Sequence, residues 1–408
     1  MFTDDPTFRK KNTSTLGTAA TAGEPAATKF LLHTNRDVMA LLARLLSNQH
    51  VFFAGVSKVW RSAWGDLPKT TQAITAETSV SQLLWSFDGG LEKNPTVCEH
   101  IAEHCGLDVL QCAYSNGCAL PEIACFKAAA RGKLDMIQWA VHEDCRWDIV
   151  VCKAAAAGGN LRVLKWARAN GCLWDGTTCS EAAGAGHLDI LQWAWSEECP
   201  WDTETCSKAA KGGHLGILQW ARAHGFPWDS ATCSSAAGGG HLELLQWARL
   251  ENCPWDAETC SQAAAGGHLG ILQWARAQGC PWDYETCSSA AGGGHLEVLM
   301  WARANGAVWR PDTTYRAAAG GHLELLQWAR AQGCSWHGSA ILGAVGRGHL
   351  DTLEWMVTNG CRCNRTASAL AALSEHVHIV EWMRTSDVWN AEIRRQDEMR
   401  GDFLGGFN

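Results

Sequence analysis

A 27-residue period is the strongest constraint in this sequence. Residues 257–283 read AETCSQAAAGGHLGILQWARAQGCPWD, and the blocks on either side, 230–256 and 284–310, read SATCSSAAGGGHLELLQWARLENCPWD and YETCSSAAGGGHLEVLMWARANGAVWR. The His of Gly-His-Leu returns at His187, His214, His241, His268, His295, His322 and His349, always 27 residues on. A fixed period of this size marks supersecondary units that stack because none of them buries its apolar face alone.

Within 257–283 the pattern predicts two helices. The first runs near Glu258 to Ala265 and starts at Asp256 or Ala257-Glu258, since acidic residues suit the positive end of a helix. Cys260, Ala263 and Ala264 form its inner face, small enough for neighbouring helices to come close. Gly266-Gly267 ends it, because glycine enters a left-handed turn without steric cost. The second runs near His268 to Gln278, with Leu269, Ile271, Leu272, Trp274 and Ala275 apolar. Glu243, Gln246 and Arg249 of the preceding block mark a polar, wet back. Gly279 and Pro281 stop the helix, and Trp282 is expected to fold over the seam between units. About twelve such units fit between roughly 72 and 385. They would stack into a superhelix on the order of 100 Å long, at about 8–10 Å per layer.

The unit resembles the ankyrin repeat. Ala263-Ala264, Gly267-His268-Leu269, Leu272 and Gly279-Cys280 follow that family's order of helix, Gly-His turn, Leu-rich helix and Gly-Ala end. The likeness departs in period, 27 here against about 33 in the family, and in the opening, Glu258-Thr259-Cys260-Ser261 for Thr-Pro-Leu-His. The missing residues fall where ankyrins carry a β-hairpin finger, so tight loops are expected there. The resemblance implies a protein-binding scaffold, not a catalyst.

The flanks obey a different pattern. Residues 1–28 are rich in Thr, Ala, Gly and Ser and read as a disordered leader with no apolar core of a secretory signal. Residues 29–70 hold Val38, Leu41, Leu42 and Leu45 at helical spacing, then an apolar run from Val51 to Val56 and the aromatics Trp60 and Trp64. A helical module this short buries no core of its own and must lean on the repeats or on a partner. The solenoid occupies 71–385. The charged tail, 386–408, reads as a fraying helix or disordered. The module also resembles the F-box, which plugs substrate receptors into cullin-type ubiquitin ligases. Asp37-Val38, Leu42 and Leu45, then Val56-Ser57-Lys58 and Trp60-Arg61, carry that likeness, with Leu32-His33 near the family's Leu-Pro. It implies adaptor docking through Val38, Leu42, Leu45, Val56 and Trp60. Capping of the first repeat is the alternative role for the same segment.

Composition narrows the function. A net charge of −8 argues against nucleic acid or an anionic membrane as partner, since phosphate binding needs a basic face. No apolar run approaches a membrane helix. The expected compartment is cytoplasm or nucleus, where the 19 cysteines stay reduced.

The residues that suggest chemistry fall into the repeat register. One cysteine column runs from Cys98 to Cys287, another from Cys118 to Cys361. Phe226 and Ala307 substitute in the second, and Thr314 and Ile341 continue the first, which marks packing slots. Neighbours within one column stand about 8–10 Å apart, beyond disulfide reach. A zinc site at Cys253 and Cys260 fails on spacing. Lys133 and Asn160 replace the histidine in two units, which favours a hydrogen bond to the turn or to the next unit over a ligand role. Gly238-Gly239-Gly240 lacks a preceding strand and a following Lys-Ser/Thr, so it is a turn and not a phosphate loop.

The expectation is therefore an all-α, ankyrin-like helical-repeat solenoid of about twelve short units with a small N-terminal helical module. It acts as a monomeric protein-interaction scaffold without enzyme activity, cofactor or metal. Candidate contact positions are Glu181, Lys208, Ser235, Gln262, Ser289 and Arg316, each two residues past the first cysteine column or its extension. A structural rod or spacer without a partner groove is the alternative.

Overall fold

The computed structural model describes residues 75, 77–88, 90–363 and 365–395. The leader, the F-box-like segment with Val38, Leu42, Leu45, Val56 and Trp60, and residues 396–408 lie outside them. All regular structure among the described residues is α-helix. Twelve second helices begin at Val80, Leu107, Leu134 and so on to Val377, in unbroken 27-residue steps. The first helices lie between them, from Pro95–His104 to Arg365–Leu373. The molecule is an all-α helical-repeat solenoid.

Local chemistry sets each boundary. The first helix of the central unit is Ala257–Ala265, and the Asp256 carboxylate caps it by accepting the Glu258 N–H at 3.0 Å. Asp148, Asp175, Asp229 and Asp283 cap their units in the same way, and Asp202 accepts from Thr205, three residues on. Gly267 then takes φ +75° and turns the chain into the second helix, Leu269–Ala277. That helix ends as the Gly279 and Cys280 N–H groups return to the Arg276 and Ala275 carbonyls at 3.0 and 2.9 Å.

Packing follows from side-chain size. Cys260, Ala263 and Ala264 are fully buried on the first helix, and each first helix lies close against its neighbours in the stack. The second helices bury Ile271, Leu272 and Ala275 but stand further apart from one another, so the stack is tight on one side and open on the other. Each fully buried Leu or Ile contributes roughly 1.5–3 kcal/mol. One continuous core runs from Leu83 to Trp389.

The described part of the C-terminal tail is helical, one of the two forms its sequence suggests. Residues 387–395 form a helix, and Trp389 is 3% exposed, its ring 6.1 Å from that of Trp382. Trp389 covers the apolar side that the last repeat leaves without a neighbour.

Candidate protein-binding face

Three ladders join the units, and each uses residues that first suggest chemistry. In the first, His295 Nε2 lies 3.0 Å from the carbonyl oxygen of Ala265, 30 residues earlier. The same contact recurs from His187 to Ala157, His214 to Gly184, His241 to Lys211, His268 to Gly238, His322 to Gly292 and His349 to Ala319, at 3.0–3.2 Å. The histidine therefore reaches the preceding unit rather than the next one. It satisfies a carbonyl at the end of that unit's first helix, where no intrahelical donor is available. Asn160 replaces it with two bonds, to Ala129 and Ala130 at 2.9 Å, and Lys133 with one, to Cys105 at 2.7 Å.

The second ladder is aromatic. Trp282 packs on Trp301 of the next unit at 6.0 Å between rings, closing the seam as the sequence suggests. The back of the second helix is less simple than the polar stripe implies. The Arg276 guanidinium lies 4.2 Å from the centre of the Trp282 ring and donates to the Cys280 carbonyl. Arg249 does the same with Trp255 and Cys253, so this member of the stripe is a half-buried strut and not a solvated charge.

The third ladder is the cysteines. All 19 are free thiols, and every one but the half-buried Cys112 is buried. Comparing cysteines within a column misses their actual neighbours, because the two columns meet inside each unit. Cys152 and Cys172 sulfurs are 2.8 Å apart, and those of Cys125 and Cys145 3.4 Å apart. Cys253 accordingly belongs with Cys233, and Cys260 with Cys280. No group of three or more His, Cys, Asp or Glu that would hold a metal ion occurs among the described residues.

With these columns committed to the stack, the first-helix face carries the variation. Glu181, Lys208, Ser235 and Ser289 are half-buried there, and Gln262 and Arg316 are exposed. Two of them meet directly, Lys208 Nζ standing 2.9 Å from Glu181 Oε1 and 3.3 Å from Glu204. Burial lowers the Lys208 pKa, but the two carboxylates outweigh it and leave the ammonium above its ordinary value. Arg316 pairs across the seam with Glu285 at 2.9 Å. Gln262 reaches Glu258 on its own helix at 3.4 Å.

From Lys208 to Arg316 the row alternates in size, whereas Glu181 and Lys208 are both large. Lys208, Gln262 and Arg316 lie over Gly184, Gly238 and Gly292 of the preceding units, where an added Cβ would come within 3.3–3.5 Å of their Cβ atoms. Ser235 and Ser289 follow Lys211 and Ala265 at the equivalent place. The repeat thus has a hidden two-unit period that 27-residue reading averages away. Arg316 also borders an open groove of about 500 Å³ with Asp312, Tyr315, Gly343 and Arg347.

The unit's order, a short helix, a Gly-His turn, a Leu-rich helix and a tight loop, is ankyrin-like. No protein-family model matches the chain, and no curated protein is similar to it in sequence. Among solved structures it is similar to the ankyrin repeat domain of human ASB11, at 14% identity over 38% of this chain and 84% of that domain, with a TM-score of 0.31.

Proposed function

We propose that the chain binds proteins along the exposed side of its first helices and that residues 30–64 dock the adaptor of a cullin-type ubiquitin ligase. The observation that supports binding is a contrast along one face. Cys, Trp, Gly and His stay in register, while the row varies from acidic Glu181 to basic Lys208, through neutral Ser235, Gln262 and Ser289, to basic Arg316. The two-unit alternation accounts for the sizes from Lys208 to Arg316 but not for the signs. A partner read position by position needs such variety; a plain spacer does not. Among the described residues no helix is long and apolar enough to cross a membrane. The ligase part rests on the F-box-like pattern alone.

Affinity purification of the full chain, beside a variant lacking residues 30–64, tests both parts. The expected result is recovery of a ligase adaptor by the full chain only and of the same remaining partners by both. Loss of the adaptor from both samples removes the ligase role. Loss of every partner from both leaves the spacer reading.

A further inference from the structure

We propose that the paired cysteines are thiol–disulfide sites, each able to staple the first helix of its unit to the loop after the second helix. This goes beyond protein binding and gives the solenoid a covalent, oxidisable ladder.

The argument starts from register. Cys152 stands on the first helix, Ile149–Ala157, and Cys172 just past the second, Leu161–Ala169, twenty residues on. The same separation recurs at Cys125 and Cys145. The twenty-residue register continues at Cys98 and Cys118, Cys179 and Cys199, Cys233 and Cys253, and Cys260 and Cys280. A sulfur pair 2.8 Å apart is inside van der Waals contact and within about 1 Å of the bonded distance. Where a partner is lost, the slot holds Phe226, Ala307, Thr314 or Ile341, and Cys206, Cys287, Cys334 and Cys361 stay single. These four serve as internal controls.

The contact also separates the two thiols, raising Cys152 and lowering Cys172, so that Cys172 is the one to react first. The Cys152 thiol donates to the Cys172 sulfur, and this holds the Cys172 pKa below its ordinary value. Cys145 and Cys253 are lowered by the same cause, whereas in the Cys260–Cys280 pair it is Cys260 that is lowered. The unpaired Cys287 is pushed up to about 12 by burial.

With a low-molecular-weight disulfide such as oxidised glutathione as oxidant, the step balances. The Cys172 thiolate attacks one glutathione sulfur, forms a mixed disulfide and expels a glutathione thiolate. The Cys152 sulfur, deprotonated, then attacks Cys172 and expels the second glutathione. Two electrons and two protons leave the protein and reduce one oxidised glutathione to two thiols.

The test equilibrates the full chain in glutathione buffers from reducing to oxidising, then quenches, denatures and alkylates it for intact-mass and peptide analysis. At the oxidising end the expected result is six disulfides, each joining residues twenty apart, with seven of the 19 cysteines alkylated. The mass before alkylation falls by about 12 Da, two hydrogens per disulfide. Cys172→Ala keeps a residue that this column already carries at Ala307, so it guards against a folding artefact. It should remove one disulfide and leave Cys152 alkylated. Alkylation of all 19 cysteines in the most oxidising buffer overturns the proposal. So does pairing outside the twenty-residue register, or glutathione retained without closure.

Discussion

His295 donates its ring N–H to the carbonyl of Ala265, 30 residues earlier, and so completes the end of a helix in another unit. The bond is local in space yet spans a whole repeat, which ties the stability of one unit to the next. His295→Ala leaves that exposed carbonyl to water and should cost about 0.5–1.5 kcal/mol. His295→Asn should retain most of the stability, because Asn160 makes the equivalent contact naturally. Urea unfolding of the two variants checks this, and equal losses would refute the hydrogen-bond role.

The same contact separates two kinds of glycine. Gly267 has φ +75°, and a Cβ there would meet the His295 ring at 2.5 Å. Gly279 has φ +81° with open space around it. At places equivalent to Gly279 the chain carries Asp144, Glu198 and Asn252 with positive φ. At places equivalent to Gly267 the exception is Glu375, which no histidine of a following described unit covers. Gly279→Asn should therefore cost about 1 kcal/mol or less, as a left-handed Asn does. Gly267→Asn should cost several-fold more, and comparable midpoints in urea would refute the steric account.

These distinctions bear on what a sequence discloses. The period, the helix pair and the Trp282 seam are legible because burial repeats with the register. The direction of the His295 side chain is not, since a residue at a helix start faces both neighbouring units. The pairing of Cys152 with Cys172 is hidden for another reason. Columns invite comparison of like with like, while the contact joins unlike positions inside one unit. On the proposed binding face, Glu181 and Lys208 are individually visible as polar positions. Their ion pair depends on how far one unit rotates over the next, which no spacing encodes.

The two-unit period predicts a coupling. Gly238 ends its helix, so Gly238→Ala gains up to about 1 kcal/mol in helix propensity. In the native chain that gain is opposed by Gln262, whose Oε1, absent from serine, would lie 3.3 Å from the new methyl. Gln262→Ser recreates the combination of Ala265 with Ser289 that the next seam already uses. Gly238→Ala should thus stabilise the Gln262→Ser background more than the native one. A double-mutant cycle measures the difference, and strict additivity would dismiss the packing explanation.

Near the N-terminal end of the described residues, Glu103 predicts a pH dependence. Its carboxylate accepts from Lys127 Nζ at 2.9 Å and from Arg131 Nη2 at 3.0 Å, and these two bonds hold its pKa at about 2, against an ordinary value of 4.5. A carboxylate lowered in the folded state contributes stability above its unfolded pKa and loses it as the pH falls toward the folded value. The window is therefore about 4.5 down to about 2. The cluster is partly solvated, with the Glu103 side chain 28% exposed, so solvent screens it. Glu103→Gln should lower stability by about 0.5–1 kcal/mol at pH 7. The gap between the two proteins should narrow through that window and close near its lower end. Denaturant unfolding at pH 7, 4.5 and 2.5 follows it, and a gap that stays constant or widens in acid would assign the effect to packing instead of charge.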